Sequence, residues 1–139
     1  MKHAVIALLL STITLIAQNW KNTQIHSNFV MAVWTVESGK RVGNLPGDYV
    51  NGVPRSKGPL QIHISAFKDS GIKGDYARCS ELEFSIKVMQ GYLLRYEKNA
   101  VKSNDFNSLA RCWNGGPSWR KNRANTDNYW QKIKSALDR

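Results

Sequence analysis

The residues best suited to chemistry in this chain are two carboxylates, Glu37 and Asp48, eleven positions apart in the stretch VWTVESGKRVGNLPGDY. Glu37 follows Val33 by four positions and Val30 by seven, so on a helix it shares their apolar face, and Gly39 supplies a stop just beyond it. A carboxylate placed there is partly desolvated, and the carbonyl end of the helix dipole repels its charge; both effects raise its pKa. A carboxyl group still protonated near neutrality can hand its proton to a leaving oxygen as a C–O bond breaks, which is what cleavage of a glycosidic bond requires. Asp48 sits in a Gly- and Pro-rich stretch where a carboxylate stays solvated and ionised, so the two groups are suited to different roles. Plainer readings stand beside these: Glu37 pairing with Lys40 or Arg41 at the helix end, and Asp48 serving as an ordinary turn residue.

The elements that must position these groups are legible from periodicity. Ser27 or Asn28 can cap a first helix over roughly 28–38, with Phe29, Val33 and Val36 on one face. From Gly39 to Gly58 the five glycines, Pro46 and Pro54 predict loops, and the alternating PLQIHI that follows predicts a small β-ribbon. Ser80 and Glu83 read as a capping box for the longest helix, whose stripe is Leu82, Ile86, Met89, Leu93 and Tyr96. Asp105 can cap FNSLARCW, which NGGP must end. A last helix from about Thr126 carries Tyr129, Ile133, Ala136 and Leu137 on one side, preceded by the basic stretch WRKNR. The expected fold class is therefore α+β, mostly α, with a small β element after the first helix and a single core.

Four segments occur in order along this frame: VESGK, SKGPLQIHISAF, ARCWNGGPSW and NYWQKI. Together they resemble the lysozyme-like superfamily, most closely the invertebrate-type lysozymes and their bacterial relatives, over roughly residues 28–135. The same stations are similar to those of lytic transglycosylases. The resemblance implies a lysozyme-like fold and cleavage of the β-1,4 bond after N-acetylmuramic acid in peptidoglycan. By position, it implies Glu37 as general acid, Asp48 as the second carboxylate, and Gln61 and Asn114 as polar residues lining the cleft, with Tyr129 a further candidate there. Trp113 could stack on a sugar face, although core packing is an equally good use for it, and packing is the better use for Trp130. His63, inside the alternating QIHIS, reads as a strand residue without a catalytic task. If Glu37 worked without Asp48, attack by the sugar's own 6-hydroxyl would give an anhydro product, the transglycosylase outcome. A non-catalytic glycan-binding scaffold, or a basic module that binds nucleic acid or membrane, is the competing class.

Composition sets the remaining bounds. With 139 residues the chain is one domain's worth, and its 20 basic against 10 acidic residues give a net charge of +10, which calls for an anionic partner. Met1, Lys2 and His3 followed by an uncharged run from Ala4 to Ala17 have the layout of a secretory signal, with a retained membrane anchor as the alternative. The expected division is a leader at 1–17 and a catalytic domain at 18–139, in a protein that is secreted or resides in the periplasm or cell envelope. There the expected partners are peptidoglycan strands and the anionic cell-wall surface rather than nucleic acid. Two cysteines, Cys79 and Cys112, are compatible with one disulfide in such a compartment, or with two buried thiols. The histidines are too scattered to hold a metal, and no cofactor is expected.

Overall fold

The computed structural model describes residues 24–139, so the leader expected at 1–17 lies outside the described residues. The order of elements is α1 (Ser27–Ser38), the strands β1 (Pro46–Val50), β2 (Val53–Lys57) and β3 (Ile62–His63), then α2 (Ile64–Asp69) and a 3-10 turn at Tyr76–Ser80. After these come α3 (Leu82–Tyr96), α4 (Lys98–Ser103), α5 (Phe106–Gly115), a 3-10 segment at Trp119–Thr126 and α6 (Asp127–Leu137). This is the mostly helical α+β layout expected from the sequence.

Helix α1 buries Phe29, Val30, Ala32, Val33 and Trp34 and packs along α6. Its N-terminus is capped by His26, whose Nδ1 accepts from the Asn28 amide at 3.1 Å, rather than by Ser27 or Asn28. Gly39 ends it as expected, in the left-handed conformation with φ 64°. The chain just beyond is tied back to the helix, because the Trp34 indole and the Ser38 hydroxyl both donate to the Arg41 carbonyl, at 2.7 and 3.2 Å. The end of α1 is therefore held firmly where Glu37 sits.

The three strands form one antiparallel sheet in the order β1-β2-β3. The ribbon lies mostly upstream of the alternating segment that predicted it. Residues 58–61 form a turn, with Gly58 at φ 80° and Gln61 at φ 50°, and leave only Ile62 and His63 to pair as strand. Gly58 has a steric reason to be glycine: a Cβ there would lie 1.8 Å from the Cys79 carbonyl oxygen.

Helix α3 buries the middle of its predicted stripe, Ile86, Met89 and Leu93, and packs on α2, α4 and α5. The capping box is not formed. Glu81 stands at the N-cap with its carboxylate bound to Arg78 rather than capping the helix, and the Ser80 hydroxyl donates to the Ala77 carbonyl at 2.9 Å because a 3-10 turn occupies 76–80. Asp105 does cap α5, accepting from the Ser108 amide at 3.1 Å. NGGP ends that helix for two reasons. Gly116 adopts φ 80°, and a Cβ on Gly115 would meet Thr126 Cγ2 at 2.5 Å, so the turn can lie flat against the following 3-10 segment only without side chains.

The disulfide between Cys79 and Cys112 is not formed: both are free, fully buried thiols. They occupy different neighbourhoods of the core. Cys79 sits near Lys57 and Tyr76, under the turn at Gly58, whereas Cys112 sits near Glu97, Arg120 and Tyr92.

Candidate active site

A cleft of about 620 Å³ opens between the ribbon and the helices, and Glu37, Asp48, Gln61, His63, Trp113 and Asn114 are all among its lining residues. Segments more than sixty residues apart in sequence thus meet in one concave site.

Glu37 projects into the cleft from the last turn of α1 and is partly buried. Burial disfavours its charged form and lifts its pKa from 4.5 to about 7. Hydrogen bonds from Tyr129 and Trp113 and the charge of Lys132 pull the other way, and the charge of Asp48 adds a small upward push. The Tyr129 hydroxyl donates to Glu37 Oε1 at 2.6 Å. Hydrogen bonds from Tyr129 and Trp113, rather than an ion pair to Lys40 or Arg41, hold this carboxylate.

Tyr129 is therefore not a cleft-lining residue of the kind expected. It lies beneath the acid, buried on the first turns of α6, and touches the site only through Glu37. Its placement depends on a network invisible to sequence periodicity. Arg111 of α5 is 4% exposed and donates to the Arg123 carbonyl, to Thr126 Oγ1 and to Asp127 Oδ1, which locks the start of α6 onto α5. A second tie joins the 3-10 segment to the end of α3. The Trp119 indole donates to the buried Glu97 carboxylate at 2.8 Å, and Arg120 donates to its other oxygen at 3.0 Å. The basic stretch WRKNR thus supplies internal struts, and the Arg120 guanidinium also lies over the Trp119 ring, 4.4 Å from its centroid.

Gln61 reaches the cleft, but its amide is already committed. Nε2 donates to the carbonyls of Leu45 and Gly58 at 2.8 and 3.0 Å, and Oε1 accepts from Ser56 at 2.7 Å. It pins the loop before β1 to the turn after β2. Gly47 must pass beside it, since a Cβ there would fall 1.9 Å from Gln61 Oε1. Asn114 is exposed at the mouth of α5. Trp113 is half-buried, edge-on to Tyr92 with ring centroids 5.7 Å apart, and is among the residues that line the cleft.

Asp48 is an exposed residue of β1, solvated as the sequence suggested. The signal passed over in the sequence is its partner: His63 Nε2 lies 2.8 Å from Asp48 Oδ2, and both line the cleft. No group of three or more His, Cys, Asp or Glu side chains suited to a metal occurs among the described residues.

No family profile matches this chain, and no solved structure matches it. Among curated proteins it is similar to lysozyme 1 of the oyster Crassostrea virginica, with 35% identity over 82 residues, or 58% of this chain. The match covers 44% of that relative's length. This chain is thus related in sequence to an invertebrate lysozyme.

Proposed function

We propose that the chain is a peptidoglycan-cleaving glycosidase, a muramidase that cuts the β-1,4 bond between N-acetylmuramic acid and N-acetylglucosamine, with Glu37 as general acid. The observation that carries this reading is a carboxyl group whose pKa is lifted to about 7 by burial, opening onto a cleft that also holds a solvated carboxylate, Asp48. Two carboxyl groups held in contrasting surroundings are what glycoside hydrolysis uses.

In the proposed reaction the Glu37 proton passes to the glycosidic oxygen as the bond from that oxygen to C1 breaks. Positive charge then develops on the sugar ring, and the Asp48 carboxylate offsets it from the same cleft. Glu37, now ionised, takes a proton from the water that completes hydrolysis at C1. The Asn114 amide, exposed at the cleft mouth, can both donate to and accept from the acetamido groups of the substrate. Trp113 offers an aromatic surface to a sugar face. Gln61 acts by shaping the ribbon, since its amide is spent on the protein itself.

The positive surplus of the chain draws it to anionic cell-wall polymer, an attraction that salt screens over about 10 Å at 0.1 M. Such a substrate fits a secreted or envelope-resident protein. Hydrolysis is preferred over the transglycosylase route because Asp48 shares the cleft with Glu37.

The test is Glu37→Gln, which keeps the acceptor for Tyr129 but has no acidic proton. It should reduce clearing of cell-wall suspensions at least about a hundredfold, with an unchanged circular dichroism spectrum and retained glycan binding. Clearing at the wild-type rate would remove Glu37 from the mechanism. Mass spectrometry of the released fragments separates hydrolysis from transglycosylation, because anhydro products are lighter by one water.

A further inference from the structure

The ribbon contains an irregularity at Asp48. The ladder between β1 and β2 pairs Pro46 with Lys57 and Gly47 with Ser56, then Tyr49 with Pro54 and Val50 with Val53. Between these pairs Asp48 stands at φ 52°, in the left-handed region that residues with a Cβ enter at a cost. Asparagine and aspartate tolerate it better than most residues, but a strand interior has no general need of it. Conformations of this kind persist where the surroundings hold them in place, and they gather at functional sites.

What holds Asp48 comes from two strands away. Gly47 pairs with Ser56 and Ser56 pairs with His63, so these three residues form one row across the sheet. Neighbouring strands are about 4.8 Å apart, so His63 begins roughly 10 Å from β1, and its ring must pass over β2 to reach Asp48 Oδ2 at 2.8 Å. The row leaves room for this. Gly47 has no side chain, and the Ser56 hydroxyl is turned down onto Gln61. An exposed aspartate without such a contact would distribute itself among its rotamers. Here it is clasped to a strand whose other end is pinned by Gln61.

We propose that His63 is a positioning residue for Asp48, holding its carboxylate on the cleft side of the ribbon so that it can face the charge developing on the substrate. The proposal rests on the muramidase reading above. His63 does not touch the reacting atoms in it; it acts through Asp48. An imidazole Nε2 and a glutamine Nε2 reach to similar distances from the backbone, so His63→Gln keeps a donor where His63→Leu removes it.

The experiment measures kcat and KM on soluble glycan fragments for the wild type, His63→Leu, His63→Gln, Asp48→Asn and the double variant His63→Leu/Asp48→Asn. All are checked for fold by circular dichroism and thermal unfolding. His63→Leu should lose about three- to tenfold in kcat with KM changed less than twofold, and His63→Gln should recover most of the loss. In the Asp48→Asn background the leucine should cost nothing further, because the carboxylate it positions is gone. The proposal is overturned if His63→Leu keeps wild-type kcat, if the glutamine gives no recovery, or if the loss is as large without Asp48. Glu37→Gln serves as the separate control. An active Glu37→Gln defeats the reading of the whole cleft, whereas an inactive Glu37→Gln beside a fully active His63→Leu defeats the role of His63 alone.

Discussion

At the scale of single residues, the behaviour of the cleft turns on one oxygen-to-oxygen contact. The Tyr129 hydroxyl donates to Glu37, and a donor stabilises the ionised carboxylate, so the contact restrains the upward push of burial and leaves the pKa at about 7. A general acid must be protonated to act, so activity should fall as pH rises through about 7. Tyr129→Phe removes a contribution that lowers the pKa, so the falling limb should move to higher pH and activity near pH 8 should decline less steeply than in the wild type. A profile of kcat/KM against pH checks this, and a limb that stays put or moves downward would contradict the assignment. The existence of a buried acid at Glu37 was legible in the sequence, from its register with Val30 and Val33 ahead of Gly39. Its hydrogen-bond partner was not, because nothing in the spacing of Tyr129 says that α6 crosses beneath α1. The same holds for His63. A histidine in an alternating segment carries no sign that a carboxylate two strands away will meet it.

At the scale of elements, the longer helices were readable, whereas the short helices α2 and α4 and the connections were not. The stripe of α3, the Asp105 cap and the glycine stops of α1 and α5 follow from local chemistry that tertiary packing had no reason to override. The capping box at Ser80 failed because the preceding residues found a better local arrangement as a 3-10 turn, and the strand expected over PLQIHI was cut short by the turn at 58–61. That turn brings the backbone of Gly58 against Cys79, and its amide donates to the Leu45 carbonyl at 3.0 Å. The glycine of SKGPLQI is therefore set by a distant contact, not by the turn alone. Gly58→Ala would combine a side chain at φ 80° with a collision against rigid backbone. It should destabilise the protein by about 3 kcal/mol or more. Urea unfolding followed by tryptophan fluorescence would show this as a lower midpoint. A Gly71→Ala control, where φ is 70° but the added Cβ meets nothing, should cost only about 1 kcal/mol.

At the scale of the whole molecule, the chain holds a cleft open between a thin ribbon and a helical body with a single core and no crosslink between its two cysteines. The ribbon is fastened by Gln61, which joins the loop at Leu45 to Gly58, and the later helices are fastened by Arg111 and Glu97, each buried and each meeting several partners. Such ties are made only in the folded chain, so they add nothing to the order of the unfolded one, unlike a disulfide. The thiols follow the same logic. Burial raises the Cys79 pKa to about 11 and that of Cys112 to about 12, so neither presents a thiolate at neutral pH, and neither is reached by solvent. Alkylation without reductant should therefore leave the native protein unlabelled and add two labels once it is unfolded, read by intact mass. A disulfide would give no labels in either state, and labelling of the native protein would show that the core opens on the timescale of the reaction. Because the two cysteines occupy different neighbourhoods of the core, Cys79 under the ribbon turn at Gly58 and Cys112 near Glu97 and Arg120, their separate rates of labelling in dilute denaturant also report whether the ribbon side loosens before the helical side. Cys79 lies under the thin ribbon, whereas Cys112 lies on a helix of the body, so Cys79 should react first.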